Sequence, residues 1–372
     1  MTTSVYDSYR PPEPSRGRRA RRGGDRPADR QSYDRAGRRG GSEGNREMSM
    51  VPDAEFTSYY GRPVVKPAPW GDDVAAYLFL GGVAGGSGLL ALGGQLTGRE
   101  ALRRNARLGA LGAVVVGGVA LVRDLGRPER FLNMLRTFKV TSPMSVGSWI
   151  LSAFGAGIGV AAASEVDRLT GNRLPLGPLR RVLRAVEGPA GVEAAVFGGP
   201  LAAYTAVLLA DTATPTWNDA RHELPFVFVS SAALASGGLA MITTPVAEAG
   251  PARIFALLGV AGDITAVRTM KARMDPVAAE PLRQGAPGTM LEWSERLVIA
   301  GAAGTLLAGR SRIAAVLSGT ALLTASALTR FATLHAGIAS AKDPRYTIEP
   351  QKRRLEARRA AGITHDAITT VG

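Results

Sequence analysis

A glycine-rich stretch without a charged residue, from Val74 to Gly98, constrains the fold of this chain more than any other feature. It spans about 25 residues, and a helix needs about 20 to cross the hydrocarbon core of a bilayer. A Walker-type phosphate loop would need Lys and then Ser or Thr after its last glycine, whereas the run GGSG is followed by two leucines. The stretch therefore predicts a membrane-spanning helix. Glycines four residues apart would let another helix approach closely, namely Gly81 with Gly85 and Gly82 with Gly86.

Seven further apolar segments follow, separated by polar linkers that contain prolines and glycines. Lipid offers no hydrogen-bond partner to an unpaired backbone group, so an all-helical bundle is the economical solution. We therefore expect an all-α integral membrane protein with about eight transmembrane helices. The predicted segments are 74–97, 106–122, 147–166, 190–211, 224–245, 252–268, 294–309 and 312–331.

Both ends of the chain are polar and basic. Residues 1–50 are rich in Arg and Gly with almost nothing to bury, which is typical of a disordered arm. Residues 336–372 form a second basic tail, which leaves residues 51–335 as the membrane domain. Because the charge is concentrated in these tails, the net charge of +14 favours anionic lipid headgroups over nucleic acid, with RNA binding by the arm as the alternative. Met48 and Met50 leave open where translation starts.

Potential metal ligands are scarce. The sequence has no cysteine and three histidines, at positions 222, 335 and 365. The chain therefore has no disulfide, no thiolate zinc site and no Cys-ligated iron–sulfur cluster of its own. We expect no bound metal and no haem in this chain.

An even number of spans places both tails on the same side of the membrane. Basic segments concentrate on the cytoplasmic side, so the tails predict cytoplasmic termini in a multi-pass protein of the cell membrane. The arginines from Arg99 to Arg107 lie on the other side, so the short loops do not add to this argument. Because successive spans alternate in direction, every second linker lies on the side of the tails. The start of the first span, the linker after the second span and residues 211–223 are therefore on that side. We expect that side to be a working or docking surface.

Several blocks of the sequence resemble the NrfD-like family, the integral membrane subunits of polysulfide-reductase-type molybdoenzymes. They are YYGRPVVKPAPW, AYLFLGGVAGGSGLLA, RDLGRPERFLNMLRTFKVTSPMSVGSWIL, ATPTW and LPFVFVSS, within about residues 56–335. The resemblance implies an eight-helix membrane anchor that exchanges electrons and protons with a quinone, either menaquinone or ubiquinone. It also implies an iron–sulfur partner subunit, joined to a molybdopterin catalytic subunit.

A quinone site needs an apolar slot, hydrogen-bonding groups for the carbonyl oxygens and a group that exchanges protons. Asp73 and Tyr77 are four residues apart at the start of the first span and so share a helix face. Family members often have a histidine near this position, but here no histidine precedes His222. Asp73 or Tyr77 is therefore predicted to take its place, unless Asp73 is only an acid that the helix dipole favours.

A dense group of charges follows the second span at a Gly-Arg-Pro turn: Asp124, Arg127, Glu129 and Arg130. It is predicted either to shape the quinone mouth and dock the partner, or to form a salt-bridge network of structural value only. Tyr204, in the fourth span, is a further candidate. The predicted quinone-binding residues are thus Asp73, Tyr77, Asp124, Arg127, Arg130 and Tyr204.

Two acids stand among apolar neighbours within predicted spans, Glu193 and Asp263. An ionisable group in a membrane span is expensive and suggests a function. We predict proton transfer for both, with a buried pair to an arginine as the alternative. The tryptophans at span ends, Trp149, Trp217 and Trp293, are predicted to anchor the bundle at the membrane interface.

Two other functions remain open from the sequence. A secondary transporter also uses small-residue packing and embedded acids, although this chain shows no convincing internal repeat. A purely structural scaffold would require the embedded acids to be dispensable.

Overall fold

The computed structural model describes residues 62–362, apart from the side chain of Arg130. The predicted arm, residues 1–50, lies outside this range, as do residues 51–61 and 363–372. Within the range the chain is helical and has no strand. The α-helices are α1 Asp72–Leu96, α2 Glu100–Asp124, α3 Pro143–Leu169, α4 Leu179–Ala210, α5 Pro215–Asp219, α6 Leu224–Thr243, α7 Gly250–Arg273, α8 Gly285–Leu307, α9 Arg312–Lys342 and α10 Arg345–Ala360, with 3-10 helices at Pro128–Leu135 and Glu280–Leu282.

All eight predicted segments are helices, which confirms the all-α membrane fold. Seven of the helices described are long and apolar enough to cross a membrane, namely α1, α2, α3, α4, α6, α7 and α9. The remaining long helix, α8, carries Glu292, Glu295 and Arg296 in its first half, which lowers its hydropathy. It nevertheless joins the end of α7 to the start of α9, two helices that run in the same direction, so the chain must return along α8.

The helices alternate in direction, and this gives the bundle two distinct ends. We call the end where α1 begins and α2 ends the tail side, and the end where α1 stops and α2 begins the far end. At the far end, the Arg312 side chain at the start of α9 donates to the carbonyls of Met241, in the last turn of α6, and Thr244, just after it, both at 2.9 Å. At the tail side, His335 of α9 meets Asp72 of α1.

Helix α1 lies inside the bundle, packed against α2, α4, α6 and α9, and its glycines permit this. A Cβ atom built at Gly85 would lie 2.3 Å from the Gly198 carbonyl oxygen of α4. One built at Gly86 would lie 2.2 Å from Ser236 Oγ of α6, and one at Gly82 3.1 Å from Arg330 Nη2 of α9. At Gly81 it would meet nothing within 4 Å. Close packing is therefore confirmed for three of the four predicted glycines.

Helix α2 begins earlier than the sequence suggested. The predicted segment began at residue 106, but the helix starts at Glu100, so Arg103 belongs to it together with Arg107. The physical reason is charge compensation: both arginines bind the Glu165 carboxylate of α3, each at 2.8 Å. Paired in this way, two basic residues fit within a membrane helix.

The last helix, α10, lies at the tail side and is polar throughout. Arg345 binds Glu280 at 3.1 Å and Arg353 binds Asp275 at 3.3 Å, which ties α10 to the linker between α7 and α8. Partial burial, with the nearby Glu280 and Asp343 carboxylates, raises the pKa of Tyr346. The predicted basic tail therefore starts as an ordered helix.

Candidate functional site

Three of the predicted quinone-binding residues come together where α1 begins and α2 ends. We call this the α1–α2 corner and define it by Asp73, Tyr77 and Asp124. The Asp124 carboxylate interacts with the Gly71 backbone and with the Asp73 carboxylate. The Tyr77 ring packs over α2, so that a Cβ built at Gly117 would lie 3.7 Å from Tyr77 Cδ2.

The Tyr77 hydroxyl is an unusual feature of this corner. The side chain is only 4% exposed, and its hydroxyl has no hydrogen-bond partner within residues 62–362. Leaving a buried polar group unpaired costs about 1–3 kcal/mol. A ligand that accepts a hydrogen bond here would recover this cost.

An apolar groove of about 350 Å³ runs along the neighbouring face of α2. Phe131 of the 3-10 helix covers one end, and Arg123 is the one charged residue that lines it. Gly118, which lines the groove, directly follows the Gly117 that packs against Tyr77. The full lining is Val114, Val115, Gly118, Val119, Val122, Arg123 and Phe131.

The other three predicted quinone-binding residues do not join the corner by any contact in the described part of the chain. Arg127 is exposed, as is Glu129, and neither takes part in an ion pair among the side chains that the structure describes. The turn itself is as expected, since Gly126 has a φ of +64°. The side chain of Arg130 lies outside the description. Tyr204 packs instead against α3, where a Cβ at Gly147 would lie 2.1 Å from Tyr204 Cε2.

Sequence reasoning missed a histidine that reaches the start of α1 from the other end of the chain. His335 Nε2 lies 2.9 Å from Asp72 Oδ1, and the His335 ring contacts Phe331. An imidazole from α9 therefore lies at the start of α1. No local pattern signals this pairing, because the two residues are 263 positions apart.

Trp217 is buried at the tail side, not at the membrane interface as predicted. Its side chain is 1% exposed, its Nε1 donates to the Thr333 carbonyl at 2.7 Å, and its ring stacks on Trp70 with centroids 5.7 Å apart. The reason is the short helix α5, which folds Trp217 inward against α9. Trp149 and Trp293 are exposed, as an interface role requires.

The two predicted proton-transfer acids lie in different surroundings. Glu193 is exposed on the outer face of α4, without an ion pair among the described residues. Asp263 of α7 is 6% exposed, and its Oδ1 atom has no hydrogen-bond partner in the described chain. Arg330 of α9 is fully buried and interacts electrostatically with Asp263, so the buried acid has an arginine nearby.

A far-end ionic lattice joins α2, α3 and α4 through five arginines and three acids: Arg103, Arg107, Arg168, Arg180, Arg184, Glu165, Asp167 and Glu187. Asp167 accepts from Arg180 at 3.0 Å and from Arg184 at 2.9 Å. Glu187 binds Arg168 and Ser164. Because each acid contacts at least one arginine, we interpret the lattice as a set of ion pairs that stabilises the fold.

The described residues contain no group of three or more His, Asp or Glu side chains placed to hold a metal ion. The polar features that the structure does show are the α1–α2 corner with its groove, the Asp72–His335 pair, and the buried Asp263 and Arg330. In the first of these, the apolar groove on α2 begins one residue along the helix from the contact with Tyr77, whose buried hydroxyl has no partner among the described residues.

Comparison with known proteins supports a family assignment. The family model described as polysulphide reductase, NrfD, matches residues 64–250, half of the chain. The match covers α1–α6 and both sides of the α1–α2 corner, whereas Asp263 and Arg330 lie beyond it. No curated protein matches the chain. The chain belongs to the NrfD family and is a multi-pass membrane protein of the kind that serves as a membrane subunit of oxidoreductase complexes.

Proposed function

We propose that this chain is the quinone-reactive anchor subunit of a multisubunit oxidoreductase in the cell membrane. It exchanges electrons and protons between menaquinone or ubiquinone and an iron–sulfur partner subunit, which is joined to a molybdopterin catalytic subunit. The observation that supports the proposal is the α1–α2 corner: Tyr77, whose buried hydroxyl has no partner among the described residues, packs against Gly117, and the next residue, Gly118, lines an apolar groove.

The residues of the corner fit a quinone in size and in chemistry. Ligand sites are mostly apolar, and this open groove of about 350 Å³ has a lining dominated by valines. A quinone carbonyl oxygen would accept the hydrogen bond that Tyr77 offers. Asp73 and Asp124 supply titratable groups beside it.

The bound quinone would supply two-electron, two-proton chemistry, and the chain's own residues would position it. The Tyr77 hydroxyl would donate a hydrogen bond to a quinone that reaches it. Asp73 lies one helical turn nearer the tail side and is exposed, so it can pass protons between the corner and the aqueous phase. Val119 and its neighbours exclude water from the tail of the quinone.

Electrons must leave through another subunit, because the chain has no cysteine to bind an iron–sulfur cluster. The exposed Arg127 and Glu129 after α2 offer a charged surface next to the corner, which suits a docked partner. We propose Arg130 and Tyr204 as peripheral members of the quinone site, and Glu193 and Asp263 as proton-transfer groups.

The proposal is tested by binding of a fluorescent hydroxyquinoline-N-oxide, a quinol analogue, to the purified full-length protein in nanodiscs. We expect Val119→Trp to fill the groove and weaken binding at least tenfold, since affinity changes tenfold for every 1.4 kcal/mol or so. Tyr77→Phe should weaken it about 2- to 10-fold, the loss expected for one hydrogen bond.

Two matched variants serve as controls. Val116→Trp adds the same ring to the same helix, at an exposed valine that does not line the groove. Tyr346→Phe removes a hydroxyl from α10, away from the corner. Equal affinities for Val119→Trp and Val116→Trp would place the quinone elsewhere and remove the main support for the proposal.

We further propose that both termini are cytoplasmic. Helix α10 carries Lys352, Arg353, Arg354, Arg358 and Arg359 at the tail side, whereas several far-end arginines are held in the ionic lattice. Because the chain lacks cysteine, single-cysteine variants report orientation directly. On whole cells, an impermeant maleimide should label Arg173→Cys and spare Lys352→Cys, and the reverse pattern would invert the orientation.

A further inference from the structure

Arg330 is a fully buried arginine that the proposed function has not used. It lies in the middle of α9, and its Nη2 donates to the Phe228 carbonyl of α6 at 2.6 Å. Its guanidinium carbon lies 3.7 Å from the centroid of the Phe228 ring. Its Nε and Nη1 atoms have no hydrogen-bond partner in the described chain. A cation buried in this way costs several kcal/mol unless it is compensated.

Asp263 is the nearest source of compensation, but it is not in direct contact. The two side chains interact electrostatically, yet they form no ion pair, and Asp263 Oδ1 is itself unpartnered. Two buried, oppositely charged groups with free atoms on both sides are a setting in which bridging water is expected, because water can satisfy two to four polar atoms at once.

A cleft between α7, α8 and α9 leads to Asp263. Its polar lining includes the hydroxyls of Ser294 and Thr329, which bind each other at 2.8 Å. Its enclosed volume is about 10 Å³, which is close to the space that one water molecule requires. The rest of the lining is apolar: Ile264, Val267, Leu291 and Val298.

Two charged residues complete the lining of the cleft. Lys271 Nζ and Glu295 Oε2 lie 3.6 Å apart, and their side chains are 26% and 46% exposed. Lys271 is eight residues beyond Asp263 on α7, a rise of about 12 Å toward the tail side. The cleft therefore connects the middle of the bundle with a partly exposed acid and base.

We propose that this cleft is a hydrated proton branch, in which Asp263 exchanges a proton with the tail-side solution through water and Glu295. Arg330 is a positioning residue that holds a fixed positive charge behind Asp263. The groups that face Asp263 are Arg330 from α9, Glu295 from α8 and Lys271 from its own helix. Only a proton moves: water or Glu295 gives it to the Asp263 carboxylate and later takes it back. The branch deepens the proposed function, but its hydration does not depend on a quinone.

Hydration is tested by the accessibility of single cysteines in the full-length protein, which has none of its own. Ser294→Cys lines the cleft, whereas Ser326→Cys is equally buried between α6 and α9; the native serines are 3% and 2% exposed. A small hydrophilic thiosulfonate should react with Ser294→Cys at least tenfold faster than with Ser326→Cys. Equal rates would show that the cleft is dry and would overturn the proposal.

The proton itself is followed by infrared spectroscopy of the same protein during a pH titration. Asp263→Asn should remove one titrating carboxylic-acid band, and Glu295→Gln should slow its exchange with deuterium. Arg330→Met should shift the midpoint of that band, and Arg330→Lys should restore it, which a purely structural role would not produce. An unchanged band in Asp263→Asn would refute the branch while leaving hydroxyquinoline-N-oxide binding at the corner intact. If the infrared results are as expected but the protein does not bind hydroxyquinoline-N-oxide, the quinone site is contradicted and the proton branch is not.

Discussion

Gly85→Ala is expected to destabilise the protein by about 3 kcal/mol, the upper end of the usual cost of overpacking a core. An alanine Cβ here would lie 2.3 Å from the Gly198 carbonyl oxygen, and one at Gly198 would lie 2.6 Å from the Gly85 oxygen. The obstacle on each side is backbone, so no flexible side chain can move aside. Helices α1 and α4 would have to separate, and α1 packs against four others.

The measurement is the free energy of unfolding in mixed micelles as sodium dodecyl sulfate is added. Gly81→Ala is the matched control, since it lies one turn earlier on the same helix and its added methyl group would meet nothing within 4 Å. We expect Gly81→Ala to remain close to the parent protein. If the two variants unfold alike, the close approach of α1 and α4 is not a feature of the folded protein.

Glu165→Ala is expected to cost about 3–5 kcal/mol, the usual penalty for removing one partner of a buried ion pair. The Glu165 carboxylate binds Arg103 and Arg107 at 2.8 Å and Arg168 at 3.1 Å. The Arg107 side chain is only 2% exposed, so its charge would be left in the bundle with Gln95 at 2.7 Å and the more distant Glu187 carboxylate at 3.8 Å. The far-end ionic lattice would lose the acid that joins α2 to α3.

The same titration measures this effect, and Glu100→Ala is the control. Glu100 is an exposed acid at the same end of α2, with no ion pair in the described part of the chain. Its removal should change the free energy of unfolding by less than about 0.5 kcal/mol. A similarly small change for Glu165→Ala would mean that the buried arginines find other partners.

The helices of this protein follow from its sequence because lipid admits few alternatives. Apolar segments predicted eight helices, and all eight are helices. Their ends were less predictable: α2 begins at Glu100 because Arg103 and Arg107 meet Glu165 on α3, a contact that no local pattern reveals. Likewise, the four glycines of α1 have the same spacing but different surroundings, because the atoms of neighbouring helices decide where a side chain would be too large.

The candidate site was predictable to a similar extent. Parity of the spans places the start of α1 beside the end of α2, and this is why the Asp73 and Asp124 carboxylates interact. Contacts between distant parts of the chain were not predictable, as the pair of His335 with Asp72 shows. Arg330 could have been noticed in the sequence, because it is the one charged residue between Ser326 and Leu334. Its complete burial, however, depends on tertiary packing.

We propose that this chain passes electrons between a quinone and a cluster-bearing neighbour. The most direct measurement is electron paramagnetic resonance of the native complex, isolated through a tag on this chain, before and after a short-chain quinol is added. We predict an iron–sulfur signal that changes with the quinol and is protected by hydroxyquinoline-N-oxide, with Val119→Trp unresponsive. A native complex without iron, or with clusters that no quinol or quinone affects, would contradict the claim.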